Sequence, residues 1–463
     1  MTASDIMRDA AECAIRYGQD LDTRSVAASQ EAIANLKLLD GPLPEAGMAD
    51  ADVLALLDTH GSPATTASTG RRYFGFVTGG VLPAASAANW LSSAWDQNAF
   101  SFVSSPAATV IEAIALRWLV DILHLPKECG GAFVTGATMA NFCGLAAARH
   151  RLLEDAGWDV EAKGLFGAPE ITVIVGEEAH TMLFKALGLL GFGRDRVVRV
   201  PVDDQGCMRP DAVPSIDGPT ILCLQAGNVN TGGIDPAAEI CGPAKAAGAW
   251  IHVDGAFGMW AAAAPQRAHL MAGYHQCDSW ATDGHKWLNV SYDSGIGFVR
   301  DEAALKASMA ATAAYLPPSE HRDPFSYTPE SSRRARGVEV WAALKSLGRD
   351  GVAELVERNC RQAQRFAEGL SEAGQDILNQ VTLNQVMVSF GDDDKTRRVI
   401  AAVQDEGTCW CGGTQWRGRT AMRISVSSWA TTDDDVERSL DAILRVAQRT
   451  AATRVQLDAD KLR

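Results

Sequence analysis

What the 463-residue chain lacks narrows its identity first. No uninterrupted apolar run approaches the roughly 20 residues that a membrane-spanning helix needs, and no basic stretch followed by an apolar core opens the sequence. Both absences predict a cytoplasmic protein with no membrane partner. Positive charge is scarce: 42 Lys and Arg face 57 Asp and Glu, a formal net charge of −15. That balance argues against nucleic acid as a partner, although a local basic pocket could still bind an anion. Ten cysteines are too few and too scattered for a disulfide framework, and Cys143, Cys223 and Cys241 sit in apolar segments as buried thiols do. The closest pair, Cys409 and Cys411, has no second pair and no nearby histidine, so no metal site is expected. Internal repeats and low-complexity tracts are absent as well. What remains is 47% hydrophobic and 21% charged residues, ordinary for a soluble globular chain long enough for one large domain and a smaller companion.

Helical patterns at Ala10 to Tyr17, Gln30 to Leu39 and Ala51 to Leu57 are too short to close a core alone and should pack on the large domain or on a second subunit. The stretch from Arg71 to Pro106, rich in aromatics, glycine and serine, shows little period. It reads either as a packed connection or as a pocket wall, with Phe74, Phe76, Trp95, Gln97, Asn98 and Phe102 as candidate substrate contacts. Ala107 to Leu123 has helical spacing. From there strands and helices alternate: AFVT, then TMANFCGLAAARHRLL; ITVIVG, then AHTMLFKALGLLG; RVVRV; TILCLQAG, then DPAAEICGPAKAAG; and AWIHVD. Continuous apolar strands alternating with helices predict a mainly parallel sheet covered on both faces, whose ligands bind beyond the carboxyl ends of the strands. The last hundred residues read as a smaller α/β unit.

The segments after those strands carry the chemistry. Lys286, flanked by His285 and Trp287, is poorly placed for surface solvation. Burial would lower its pKa and make it a nucleophilic amine suited to a Schiff base, the alternative being a surface lysine beside a chance histidine. Asp254 ends AWIHVD and is followed by Gly255 and Ala256, which leave room for something flat; it could keep a pyridine nitrogen protonated or cap the next turn. His180 could stack on a ring or cap a helix. The turn Thr135 to Asn141 runs strand to glycine to helix, and its backbone N–H groups with the Thr138 hydroxyl would seat a phosphate, though it lacks the lysine of a P-loop. Asn228 can reach the same space. One ligand uses all of these groups: pyridoxal 5′-phosphate.

On the segments GAFVTGATMANFCGLAAARH, EEAHTMLFKALGLLG, AWIHVDGAFG and DSWATDGHKWLN, in that order and separation, the chain resembles the group II pyridoxal-phosphate amino-acid decarboxylases from about Tyr73 to Val436. The resemblance implies an α/β, aspartate-aminotransferase-like fold type I with a mainly parallel seven-stranded sheet and a smaller C-terminal α/β domain. Its expected parts are residues 1–70, a dimer-swapped helical segment, 71–345, a large cofactor-binding domain, and 346–463, the small domain. It implies Lys286 as the cofactor lysine, Asp254 as the pyridine-nitrogen partner and His180 as the stacking residue. Ala137 and Thr138 match the phosphate turn, Ala256 the small residue against the ring, and Asp283 and His285 the positions before the lysine. It also implies a homodimer with shared active sites. The sequence departs from the family at Thr138, Met139, Asp283, Gly284 and the loop AGNVNTGG, which leaves the substrate class open.

The implied reaction is α-decarboxylation of an L-amino acid to the amine and carbon dioxide, the ring held by Asp254 absorbing the electron pair. A loop tyrosine, Tyr327 in preference to Tyr315, is expected to help deliver the proton, the alternative being a tyrosine packed in the loop. Rival readings are an aldehyde synthase or carbon–carbon lyase on the same scaffold, and a non-catalytic binding protein.

Overall fold

The computed structural model describes the backbone of residues 2–311 and 320–461, and side chains up to residue 450. The chain divides into two compact units. One comprises Met1–Thr78, Gln364–Leu378 and Val386–Arg463; the other comprises Gly79–Ala363 with Asn379–Gln385. The N-terminal helices and the C-terminal strands, set apart in the sequence reading, thus share a unit.

In chain order the first unit begins with α1 (Ala3–Asp20), α2 (Gln30–Asn35) and α3 (Asp50–Leu56). The first is opened by a capping box in which Thr2 and Asp5 satisfy each other's amides. The second unit holds α4 (Pro83–Trp95), α5 (Pro106–Ile122), β1 (Gly130–Val134), α6 (Ala137–Asp155), α7 (Val160–Lys163), β2 (Thr172–Gly176), α8 (Thr181–Leu189), β3 (Val198–Val200), β4 (Thr220–Gln225), α9 (Ala237–Ala246), β5 (Trp250–Asp254), β6 (Ser279–Asp283), β7 (Gly295–Val299) and α10 (Glu302–Met309). Then come α11 (Gly337–Glu372), kinked where Gly348 takes φ 62°, β8 (Asp376–Ile377), β9 (Gln385–Ser389), α12 (Asp393–Glu406), β10 (Gly412–Trp416), β11 (Arg419–Ser425) and α13 (Asp433–Lys461). Thr432 and Asp435, in the run TTDDD, cap α13 reciprocally.

The large sheet has seven strands in the order β1-β7-β6-β5-β4-β2-β3. β3, β2, β4, β5 and β6 pair parallel to their neighbours, whereas β7 runs antiparallel to both β6 and β1. The expected mainly parallel, seven-stranded sheet is therefore present. Its central strands are largely apolar because both faces are covered: Val134, Val175, Ile221, Ile251, Trp280 and Phe298 are all buried. A second sheet of four strands, ordered β10-β11-β9-β8, belongs to the smaller α/β portion of the chain.

Register fixes the functional edge. Val134 pairs with Gly295, Gly295 with Asp283, Asp254 with Ala281, and Gln225 with Asp254. The carboxyl ends of β1, β4, β5 and β6 therefore meet the start of β7 along one rim. A buried ion pair anchors β1: Arg333 donates to Glu112 of α5 at 2.7 Å, to the carbonyl of Ala99 at 3.0 Å and to that of Phe133 at 2.6 Å. Arg322 adds a second contact to Glu112 at 3.1 Å.

Candidate active site

Lys286 sits in the loop that joins β6 to β7, and the packing of that loop explains where its amine lies. Gly284 donates to the Ser294 carbonyl at 2.9 Å, the Trp260 indole to the Asp283 carbonyl at 3.2 Å, and the Trp287 indole to Asn359 at 3.0 Å. Gly79 lies so close beneath that a Cβ there would fall 2.0 Å from the Lys286 carbonyl oxygen. Held this way, the half-buried Lys286 places Nζ 3.1 Å from Oδ2 of the buried Asp283. The other Asp283 oxygen accepts from the Ala137 N–H at 2.6 Å, at the first turn of α6, where helix-terminal amides favour an anion. The His285 Nδ1 accepts from the Ser294 N–H at 3.0 Å, so a neutral ring carries its proton on Nε2, 3.6 Å from Asp283. Burial pushes the His285 pKa down, which favours that neutral form.

Asp254, at the end of β5, is buried, and its carboxylate accepts from the Asn141 side chain at 3.2 Å and from the Ala256 N–H at 3.3 Å. Ala256 itself is half-buried. His180 caps α8, its Nδ1 accepting from the Met182 N–H at 3.4 Å. Capping engages one edge of the imidazole, so this role and stacking on a ring are compatible.

A sequence model of the pyridoxal-dependent decarboxylase conserved domain matches residues 62–391, well over half of the chain. The chain belongs to the pyridoxal-dependent decarboxylases. It is 29% identical over 392 residues to L-2,4-diaminobutyrate decarboxylase of Rhizobium meliloti, covering 80% of this chain and 76% of that protein. It is 26% identical over 422 residues to tryptophan decarboxylase 1 of Oryza sativa, covering 82% and 81%. The fold matches a crystal structure of Oryza sativa TDC with PLP and tryptamine at a TM-score of 0.87 and 22% identity, over 97% of this chain and 99% of that one. The decarboxylase is accordingly a fold type I α/β enzyme, a carboxy-lyase of amino acids whose cofactor is pyridoxal 5′-phosphate.

The residues at the rim fit that cofactor. Thr138, at the second position of α6, has an amide N–H and a hydroxyl without a hydrogen-bond partner among the described residues, and the His285 ring lies close to Gly136 of the same turn, 3.4 Å from where a Cβ there would stand. A buried carboxylate, Asp254, stands on the next strand but one from β7 to meet a basic ring nitrogen. Gly295 is needed for the seat itself, since a Cβ there would come within 2.3 Å of the Gly136 backbone.

Several predicted site residues of the decarboxylase take other places. Asn228 is buried with its amide nitrogen on the Glu178 carbonyl and Gln225, and its oxygen accepting from Asn230 and Thr231; its side chain is spent on shaping its own loop. Tyr327, expected to deliver a proton, is packed within its own chain. It is buried with Arg322 stacked 4.0 Å over its ring and its hydroxyl engaged by Glu302. Glu302 crowds Gly130, the far end of β1 from the Gly136 turn, so a five-residue strand separates Tyr327 from that rim. Tyr315 lies outside the described residues. Phe74 is buried against Phe366 at 5.1 Å within the first unit, whereas Phe76 is 63% exposed. In the second unit Asn98 accepts from the Arg333 N–H at 3.0 Å, and Phe102 stacks on His321 with centroids 3.7 Å apart. Trp95, at the end of α4, is exposed.

Two residues behind the rim escaped the sequence reading: Asn141 and His252. A signal for His252 was there, because a histidine inside an otherwise apolar buried strand, two residues before Asp254 and so on the same face, needs a partner.

Proposed function

We propose that this decarboxylase removes the α-carboxylate of an L-amino acid to leave the amine, with Lys286 as the cofactor-bearing lysine. The observation that carries this is the juxtaposition, on one sheet rim, of a half-buried amine, a buried carboxylate and a helix terminus with free donors. Pyridoxal 5′-phosphate, when bound, supplies an electron sink conjugated to the amino acid's α-carbon. The residues do the rest. Asp254 presents its charge to the ring nitrogen and keeps a proton there, each pKa unit of that preference amounting to about 1.4 kcal/mol. Thr138 and the His285 Nε2–H donate to the phosphate, and the Ala137 amide joins them by sharing with Asp283. His180 covers one face of the ring, and Ala256 leaves space for the other. Asp283 pairs with the Lys286 Nζ across their 3.1 Å contact and so orients the amine.

We further infer a cytoplasmic homodimer with shared sites. Its support is the apolar surface of the N-terminal segment, where Leu38, Leu43, Met48 and Leu57 are each more than half exposed, as expected of residues that a second subunit covers. Among the described residues no helix is long and apolar enough to cross a membrane. The substrate class follows from assay: free amino acids are screened for carbon dioxide release, and the products are analysed for amine, aldehyde and hydrogen peroxide. For the site, Lys286→Ala should fold and lose both the borohydride-reduced cofactor peptide and steady turnover. Recovery of the reduced cofactor on a different lysine would refute the assignment.

A further inference from the structure

Behind Asp254 lies a row of buried polar side chains that nothing in the reaction above uses. Asn141 on α6, His252 on β5 and Ser279 on β6 are each at most 1% exposed. The Asn141 amide nitrogen donates to Asp254 Oδ2 at 3.2 Å, and the Asn141 oxygen lies 2.9 Å from His252 Nε2. His252 Nδ1 lies 2.8 Å from the Ser279 hydroxyl, which accepts from the Trp250 indole N–H at 2.9 Å. The direction of every proton follows. The Asn141 amide must turn its nitrogen to Asp254, because its oxygen would repel the carboxylate, so its oxygen faces His252 and accepts. His252 Nε2 therefore carries the hydrogen, leaving Nδ1 bare in the neutral ring, and the Ser279 hydroxyl donates to it. Burial in an apolar sheet pushes the His252 pKa down to about 3, so the ring is neutral at physiological pH. Room for the imidazole is built in. A Cβ on Gly144, within α6, would lie 2.9 Å from two ring atoms of His252.

The row thus runs in one sense, Trp250 to Ser279 to His252 to Asn141 to Asp254, each group donating toward the carboxylate. We propose that Asn141 and His252 are positioning residues that aim Asp254 at the cofactor ring through a one-way chain of hydrogen bonds. Dipoles aligned this way polarise one another and strengthen the bond that reaches the carboxylate. The proposal rests on the assignment of Asp254 as the ring-nitrogen partner. It adds that α6 serves both ends of the cofactor, with its first turn at the phosphate and its Asn141 side chain behind the ring.

The test compares apo and reconstituted wild type with Asn141→Leu, Ser279→Ala and Asp254→Ala. The readouts are pyridoxal 5′-phosphate affinity by fluorescence quenching, the pH midpoint of the visible band of the bound cofactor, and thermal melting. Asn141→Leu should weaken affinity about tenfold and move that midpoint by about one unit, the same energy read two ways. Ser279→Ala, which deletes a single atom at the far end, should move both in the same direction by less and covers the case in which Asn141→Leu does not fold. A purely structural row would lower the melting temperature and leave the midpoint where it was, and that result overturns the proposal. If Asp254→Ala changes affinity and midpoint while the other two variants do not, only the relay falls. If Asp254→Ala changes neither, the ring-nitrogen assignment falls with it.

Discussion

Substituting Glu112 by alanine tests how the rim is held in place. Its side chain is 2% exposed and that of Arg333 is fully buried, and the carboxylate takes one charged hydrogen bond from Arg333 and another from Arg322. Removing one partner of such a pair costs about 3–5 kcal/mol, because the surviving charge stays buried without its counter-ion. Arg333 keeps its bonds to the carbonyls of Ala99 and Phe133, which argues for the lower half of that range. At about 2 °C per kcal/mol for a unit of this size, melting should fall by about 6–8 °C. The assay is differential scanning fluorimetry of the reconstituted enzyme, with Glu112→Ala, Arg333→Met and the double variant side by side. The double variant, which removes the fully buried orphaned charge and leaves only the partly exposed Arg322 without its counter-ion, should recover part of the loss. A Glu112→Ala shift under about 2 °C, or a double variant that loses the sum of the singles, would contradict the argument that burial makes this pair matter.

Three further outcomes follow from the geometry. The folded-state pKa of His252, pushed down to about 3 against an ordinary 6.5, means that the unfolded chain binds the extra proton first. The stability this group preserves is complete above pH 6.5 and is lost as pH falls toward 3, about 2 kcal/mol between pH 6.5 and 5. Melting curves of wild type and His252→Gln across that window should show a flatter pH dependence in the variant. Gly295→Ala should fold but weaken pyridoxal 5′-phosphate affinity at least tenfold, since its Cβ would push on the Gly136 backbone; unchanged affinity in a cofactor titration would sink this account of the phosphate seat. Tyr327→Phe should leave turnover and product ratio unchanged and cost about 1 kcal/mol of stability for the lost contact with Glu302, and a switch from amine to aldehyde would restore Tyr327 to the reaction.

Much of this was legible in the residues. TILCLQ, WIHVD and TVIVG fall on β4, β5 and β2 because unbroken apolar runs between turn residues have few other ways to satisfy their backbones in a covered sheet. The helix α4 was not legible: PAASAANWLSSAW is small and polar on several sides, and no period stands out. Nor was β7, whose GIGFV carries two glycines that weaken a strand by propensity, although one of them, Gly295, is required by the close approach of the Gly136 backbone. At the site, Lys286 and Asp254 announced themselves by standing just past apolar strands. The packing of Tyr327 beside Glu302 was not legible, because spacing along a loop says nothing about which end of a strand it returns to. Asn141 was hidden within a helix whose glycine turn drew the attention.

The segment bearing the lysine leaves β6 at Asp283 and re-enters the sheet at Gly295, and those two residues are cross-strand partners. Lys286 is thus carried on a ring of chain stapled shut at its base, not on a free tail. Inserting or deleting even one residue there would rotate the amine away from its target without lengthening its reach. Engineers seeking new substrates should therefore leave the length of this ring untouched and vary the walls around it.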